Sequence, residues 1–127
     1  MFEKLELTRM AQAMAAQAGA RMGVIAQNVA NADTPGFKAM DMPSFAETYA
    51  EGGGHMRATR PGHSTGADAS MTPLPRRDKG AAAPNGNSVS LETEMVKSAG
   101  ARQDHEMALA IYRNTSDIIR ASLGRSR

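Results

Sequence analysis

An all-α fold is what this sequence predicts: two long terminal helices forming an antiparallel, coiled-coil-like pair, joined by an irregular middle rich in Gly and Pro. Three observations carry that expectation. Both ends are free of Pro and rich in Ala, Met, Leu, Gln and Arg, with apolar residues recurring at helical spacing. Between the ends, Gly52, Gly53, Gly54, Pro61, Gly62, Gly66, Pro73, Pro75, Gly80, Pro84 and Gly86 interrupt any regular element. Finally, 127 residues with only three Phe, two Tyr and no Trp cannot fill a self-contained core, so part of the core is expected to be shared with partners.

The first helix is expected from about Leu5 to Ala32. Its apolar stripe consists of Leu7, Met10, Met14, Ala18, Met22, Ile25 and Val29. The steps average close to an eleven-residue repeat, seen in Leu7, Ala18 and Val29, which suits a nearly straight helix or a slight right-handed supercoil. The helix must stop where Thr34 precedes Pro35, because a residue before proline is pushed out of helical geometry. Pro35 and Gly36 suit the centre of a type II turn from Thr34 to Phe37, with Gly36 taking the positive φ. Asn28, Asn31 and Asp33 carry short polar side chains able to bond backbone groups left open at the helix end.

Residues 40–87 form the flexible middle segment. It holds a short helical turn from Pro43 to roughly Tyr49 and otherwise loop, with at most a hairpin. A second long helix follows, capped by Ser90, with Glu92 and Glu94 favouring the first turn, and running from Leu91 to about Leu123. It carries two eleven-residue series: Val96, Met107, Ile118 and Ala99, Ala110, Ala121, with Ile111 widening the apolar face. A helix apolar on more than one side is expected to meet more than one neighbour. The divisions are thus 1–39, 40–87 and 88–127, the two ends making one helical domain.

Little points to chemistry. A net charge of +2 from 15 basic and 13 acidic side chains names no partner, and zero Cys excludes disulfides and thiolate metal sites. His55, His63 and His105 lack ligand spacing, and Gly52–Gly54 lacks the Lys and Ser or Thr of a phosphate loop. Arg57, Arg60, Arg76, Arg77 and Lys79 make the middle basic, but without interleaved aromatics they read as solvated charge, not as a nucleic-acid surface. Too few basic residues flank the first helix for a membrane-lying face, and no run is long enough to span a bilayer. The expectation is a non-enzyme with no cofactor, metal, small-molecule substrate or nucleic-acid partner.

The run Asn28, Asn31, Thr34, Pro35, Gly36, Phe37, following a long helix, closely resembles the signature of the flagellar axial proteins, the rod, hook and hook-associated families. The resemblance covers about Met1 to Met40 and Ser88 to Leu123. The short chain, the phrase Asp33 to Lys38 and the stretch Ser90 to Met95 look most like the short proximal rod proteins of that family. That resemblance implies a structural subunit of the periplasm-spanning rod in the flagellar basal body. It implies export through the flagellar type III apparatus without a cleaved signal, and folding by addition to the growing tip. Copies of itself, other rod subunits and the membrane-embedded base are the implied partners. The apolar positions Leu7, Met10, Met14, Ala18, Met22, Ile25, Val29, Val96, Ala99, Met107, Ala110, Ile111 and Ile118 would then be the assembly interface.

Overall fold

The computed structural model describes residues 2–51 and 73–124. Along the chain it contains α1 (Phe2–Ala30), β1 (Met40–Asp41), α2 (Phe45–Glu51), β2 (Arg76–Arg77) and α3 (Leu91–Gly124). It is an all-α fold dominated by α1 and α3. They run antiparallel: Ala11 and Ala15 share a groove with Ala108 and Tyr112 near one end, while Asn28 meets Glu94 near the other.

Each helix end has a local cause. At the end of α1 the Asn31 N–H still reaches the carbonyls of Gln27 and Asn28, both at 3.1 Å, after which the chain passes into turns. Helix α1 therefore stops two residues short of the expected Ala32. Helix α3 begins where the Ser90 carbonyl accepts from Glu94 N–H at 2.9 Å, with the Ser90 hydroxyl oxygen 3.5 Å from the Thr93 N–H. Short as it is, α2 carries a reciprocal cap: Ser44 N–H donates to Glu47 Oε2 at 2.9 Å, and Glu47 N–H donates back to Ser44 Oγ at 3.3 Å. Hydrogen bonds to the Glu47 carboxyl from the Ser44 backbone N–H and from the Ser44 side chain hold this exposed group below its ordinary value.

Both long helices bury residues at seven-residue steps, and α1 buries Gln17, Val24 and Asn28 beside them. Ala11, Ala18 and Ile25 on α1, and Glu94, Ala101, Ala108 and Thr115 on α3, are all buried. The buried pair thus follows a seven-residue period, not the eleven-residue one read from the larger apolar residues. Seven suits a left-handed crossing, and alanine at the contact lets two backbones approach closely. The Thr115 hydroxyl is satisfied within its own helix by donating to the Ile111 carbonyl at 2.8 Å.

β1 and β2 pair antiparallel, Met40 opposite Arg77 and Asp41 opposite Arg76. The pairing continues through Asp78 N–H to the Ala39 carbonyl at 2.9 Å. β1 packs on α1, with Ala39 and Met42 buried on either side of it, and Gln17 Nε2 donates to the Pro43 carbonyl. Among the described residues, no helix is long and apolar enough to cross a membrane.

Candidate functional site

The turn after α1 is clamped from the far side of the sequence. Phe37 N–H donates to the Thr34 carbonyl at 3.2 Å, and Gly36 sits at φ 74°. Gly36 N–H donates to the Asn85 carbonyl and Ser88 N–H to the Phe37 carbonyl, both at 3.0 Å. Gly86, at φ 81°, comes so close that a Cβ on it would lie 3.3 Å from Gly36 Cα. Asn87, buried, is the centre of the clamp. Its Nδ2 lies 3.0, 2.7 and 2.9 Å from the carbonyls of Asn31, Ala32 and Thr34, while its Oδ1 accepts from Val89 N–H at 2.8 Å. The carbonyls left open at the end of α1 are thus met by a side chain more than fifty residues away.

The signature residues divide by role. Asn31 bonds locally, donating Nδ2 to the Gln27 carbonyl at 2.8 Å and accepting from the Thr34 hydroxyl at 3.2 Å. Asp33, Pro35 and Gly36 are exposed, and Phe37 is half-buried. Asn28 reaches outward: its Nδ2 lies 2.7 Å from the Met40 carbonyl and 2.9 Å from Glu94 Oε2, and its Oδ1 accepts from Met40 N–H at 3.0 Å. Asn28 and Glu94 are each 1% exposed.

Around Glu94 lies an ionic cluster joining α1, the β ribbon and α3. Lys97 Nζ sits 2.5 Å from Asp78 Oδ2, 3.2 Å from Glu94 Oε1 and 3.4 Å from Asp41 Oδ2. Arg21 forks onto Asp41, with Nε to Oδ1 at 3.1 Å and the NH2 nitrogen to Oδ2 at 3.2 Å. Burial alone would raise the Asp41 carboxyl, but the Arg21 hydrogen bond, the Met42 N–H and the charges of Arg21 and Lys97 outweigh it and hold the pKa low. Burial likewise opposes the charged Lys97, yet its bonds to Asp78 and Glu94 and the nearby Asp41 raise its pKa.

These shifts fix a pH profile. Asp41 is depressed in the fold, so its contribution is present above the ordinary carboxyl value and lost as pH falls through the lowered one. Lys97 is raised, so its contribution is present below the ordinary ammonium value and lost as pH rises through the raised one. The thermal midpoint, followed by circular dichroism, is expected to be flat from about pH 5 to about pH 9 and to fall on both sides. Asp41→Asn should soften the acid limb, and an acid limb unchanged by that substitution would contradict the role given to Asp41.

Residues 10–38 match the family model described as flagella basal body rod protein. Over that segment, less than a quarter of the chain, the sequence is similar to the flagellar rod family. The match runs from Met10 in α1 through the turn to Lys38 and leaves α3 outside it. No curated protein matches the chain. The family is one of structural rod proteins, not of enzymes, and it supports a place in the flagellar basal body alongside other rod components.

The apolar positions singled out from sequence differ in burial. Ala18 and Ile25 lie in the α1/α3 seam, and Met10, Met14, Met22 and Ile111 are half-buried. Leu7 and Val29 are exposed, as are Val96, Ala99, Met107, Ala110 and Ile118. Val96, Met107 and Ile118, at 74%, 47% and 52% exposure, lie off the face that α3 buries. Helix α3 therefore has two patterned faces: a seven-residue one covered by α1, and an eleven-residue one open.

Of the other candidates, His105 is half-buried on α3, and Arg76, Arg77 and Lys79 are exposed. Gly52–Gly54, His55, Arg57, Arg60, Pro61, Gly62, His63 and Gly66 lie outside the described residues. Among the described residues no group of three or more His, Asp or Glu side chains could hold a metal ion.

Proposed function

We propose that the chain is a proximal rod subunit of the FlgB type, which polymerises through its terminal helices into the axial shaft that transmits torque to hook and filament. One observation carries the reading beyond the family: α3 presents Val96, Met107 and Ile118 to solvent at an even eleven-residue spacing, although the same helix already has a buried seam with α1. An exposed stripe at that period matches a nearly straight neighbouring helix. Covering such side chains stabilises an added subunit by roughly 1.5–3 kcal/mol each. The neighbours are copies of the chain, other rod subunits and the membrane-embedded base. The chain reaches them through the flagellar type III export apparatus, folding after transit.

The test is an in-frame deletion in the native bacterium, scored by electron microscopy of basal bodies and by swimming, with plasmid complementation. Loss of rod, hook and filament with the membrane base retained is the expected result; motile cells with intact rods would refute it. The other short proximal rod protein, FlgC, shares the N-terminal signature. Cells lacking FlgB or FlgC, each supplied with this chain, separate the two: the FlgB type restores swimming only to the first.

A further inference from the structure

Of the five asparagines in the chain, Asn85 alone precedes a glycine; the others precede Val29, Ala32, Ser88 and Thr115. The amide carbon of an asparagine is open to attack by the backbone nitrogen of the next residue, and a side chain on that residue crowds the approach. Glycine has none. Asn85 is also exposed, so water reaches its amide. In the fold, however, each group that would have to move is held. Gly86 N–H, whose proton must leave before its nitrogen can attack, donates to the Ala83 carbonyl at 2.8 Å. Asn85 Oδ1, on the carbon to be attacked, accepts from Asn87 N–H at 3.1 Å, which fixes the side-chain rotor. The Asn85 main-chain carbonyl accepts from Gly36 N–H at 3.0 Å, and the Gly86 carbonyl accepts from Lys38 Nζ at 2.8 Å. Asn87 ties the loop down through its three bonds to carbonyls at the end of α1.

We propose that Asn85 is a self-modification site whose side-chain amide closes onto the Gly86 nitrogen, and that the clamp built on Asn87 sets the rate. The Gly86 nitrogen gives up its proton and bonds to Asn85 Cγ; the Cγ–Nδ2 bond breaks, and Nδ2 leaves as ammonia with that proton. Water then opens the cyclic imide at either of its carbonyls. One opening gives aspartate on an unchanged main chain. The other gives isoaspartate, in which the main chain runs through Cβ and Cγ and the former main-chain carbonyl becomes a carboxylate. No electrons are exchanged, and water is the co-reactant. Ring closure needs the loop released, so the rate follows the opened population. Undoing even one of the bonds that hold the loop shifts that population roughly tenfold. The product then acts back on the clamp. Isoaspartate lengthens the main chain where a Cβ on Gly86 would already lie 3.3 Å from Gly36 Cα, and it removes the carbonyl that receives Gly36 N–H. A chain altered in this way cannot clamp the turn after α1 as before. The inference concerns chemistry within one chain and is independent of what that chain assembles into.

The test follows Asn85 in the full-length chain at neutral pH by peptide mass spectrometry, with aspartate and isoaspartate products separated by chromatography. The chain is incubated folded and in urea, beside Gly86→Ala in urea and Asn87→Ala without urea, the helices of the latter checked by circular dichroism. If those helices are lost, Ser88→Ala takes its place, since it removes only the hydroxyl acceptor of Ala39 N–H. Conversion is expected at Asn85 ahead of the other asparagines, giving both products, and roughly tenfold or more slower in the folded chain than in urea. The clamp variant should approach the rate in urea, and Gly86→Ala should lose most of the conversion. The purified isoaspartate chain should show a lowered urea midpoint, whereas Asn85→Asp, which keeps the acceptor for Asn87 N–H, should stay near the parent. Four outcomes overturn the proposal. Equal rates folded and in urea would mean that the fold gives no protection. A clamp variant as slow as the parent would place the protection elsewhere. Undiminished conversion in Gly86→Ala, or aspartate without isoaspartate, would mean direct hydrolysis and no ring closure. An unchanged midpoint in the isoaspartate chain would mean that the clamp tolerates its own modification.

Discussion

Met107→Asp is expected to abolish rod assembly and swimming while leaving the isolated chain's helicity unchanged. Met107 is 47% exposed, and its helix buries a different face against α1. Within one chain a carboxylate there stays hydrated, so stability should move by no more than about 0.5 kcal/mol. Between subunits the same carboxylate would be taken out of water without a partner, at a cost of several kcal/mol per contact. That cost recurs at every subunit added. Circular dichroism of the purified variant and electron microscopy of basal bodies together decide the matter. Normal rods would mean that the eleven-residue stripe faces solvent in the assembly.

Asn87→Ala is expected to have the largest effect on the chain's own stability of any single loop substitution. It removes the donor to three backbone carbonyls and the acceptor for Val89 N–H at a residue 3% exposed. Buried groups left without partners cost about 1–3 kcal/mol, read as a lowered midpoint in urea at unchanged slope. Asn87→Asp sharpens the test. It is nearly isosteric and keeps the acceptor, yet it directs a carboxylate at three carbonyl oxygens, so it should be at least as damaging as alanine. If aspartate were tolerated, shape and not donation would be what Asn87 supplies.

The two long helices were legible because every local signal agreed: uninterrupted helix formers, a Pro-Gly stop, a Ser start. Their shared seam was harder to read. Sequence reasoning weights large apolar side chains, and it followed Met10, Met14, Met107 and Ile118, whereas α3 buries Glu94, Ala101, Ala108 and Thr115. Alanine carries little hydrophobic contrast, and a glutamate in a first turn reads as a complement to the helix dipole. The strict seven-residue spacing of those four positions was the available signal. Asn28 read as a local cap but bonds across the fold to Met40 and Glu94. Asn87, flanked by Gly86 and Ser88, looks like any loop residue. Asp41, Asp78 and Lys97 look like solvated charges until the chain's path brings them together. Long-range polar pairing leaves no periodic trace in a single sequence.

The two-residue ribbon of β1 and β2, with Lys97 pinned to Asp41 and Asp78 at its base, works as a collar. The Asp41 carboxylate is bonded to both long helices, to α1 through Arg21 and to α3 through Lys97, whereas among the described residues the Asp78 carboxylate is bonded to α3 alone. A substitution at Asp41 therefore loosens the ribbon's hold on both helices at once, and one at Asp78 loosens it on one side only.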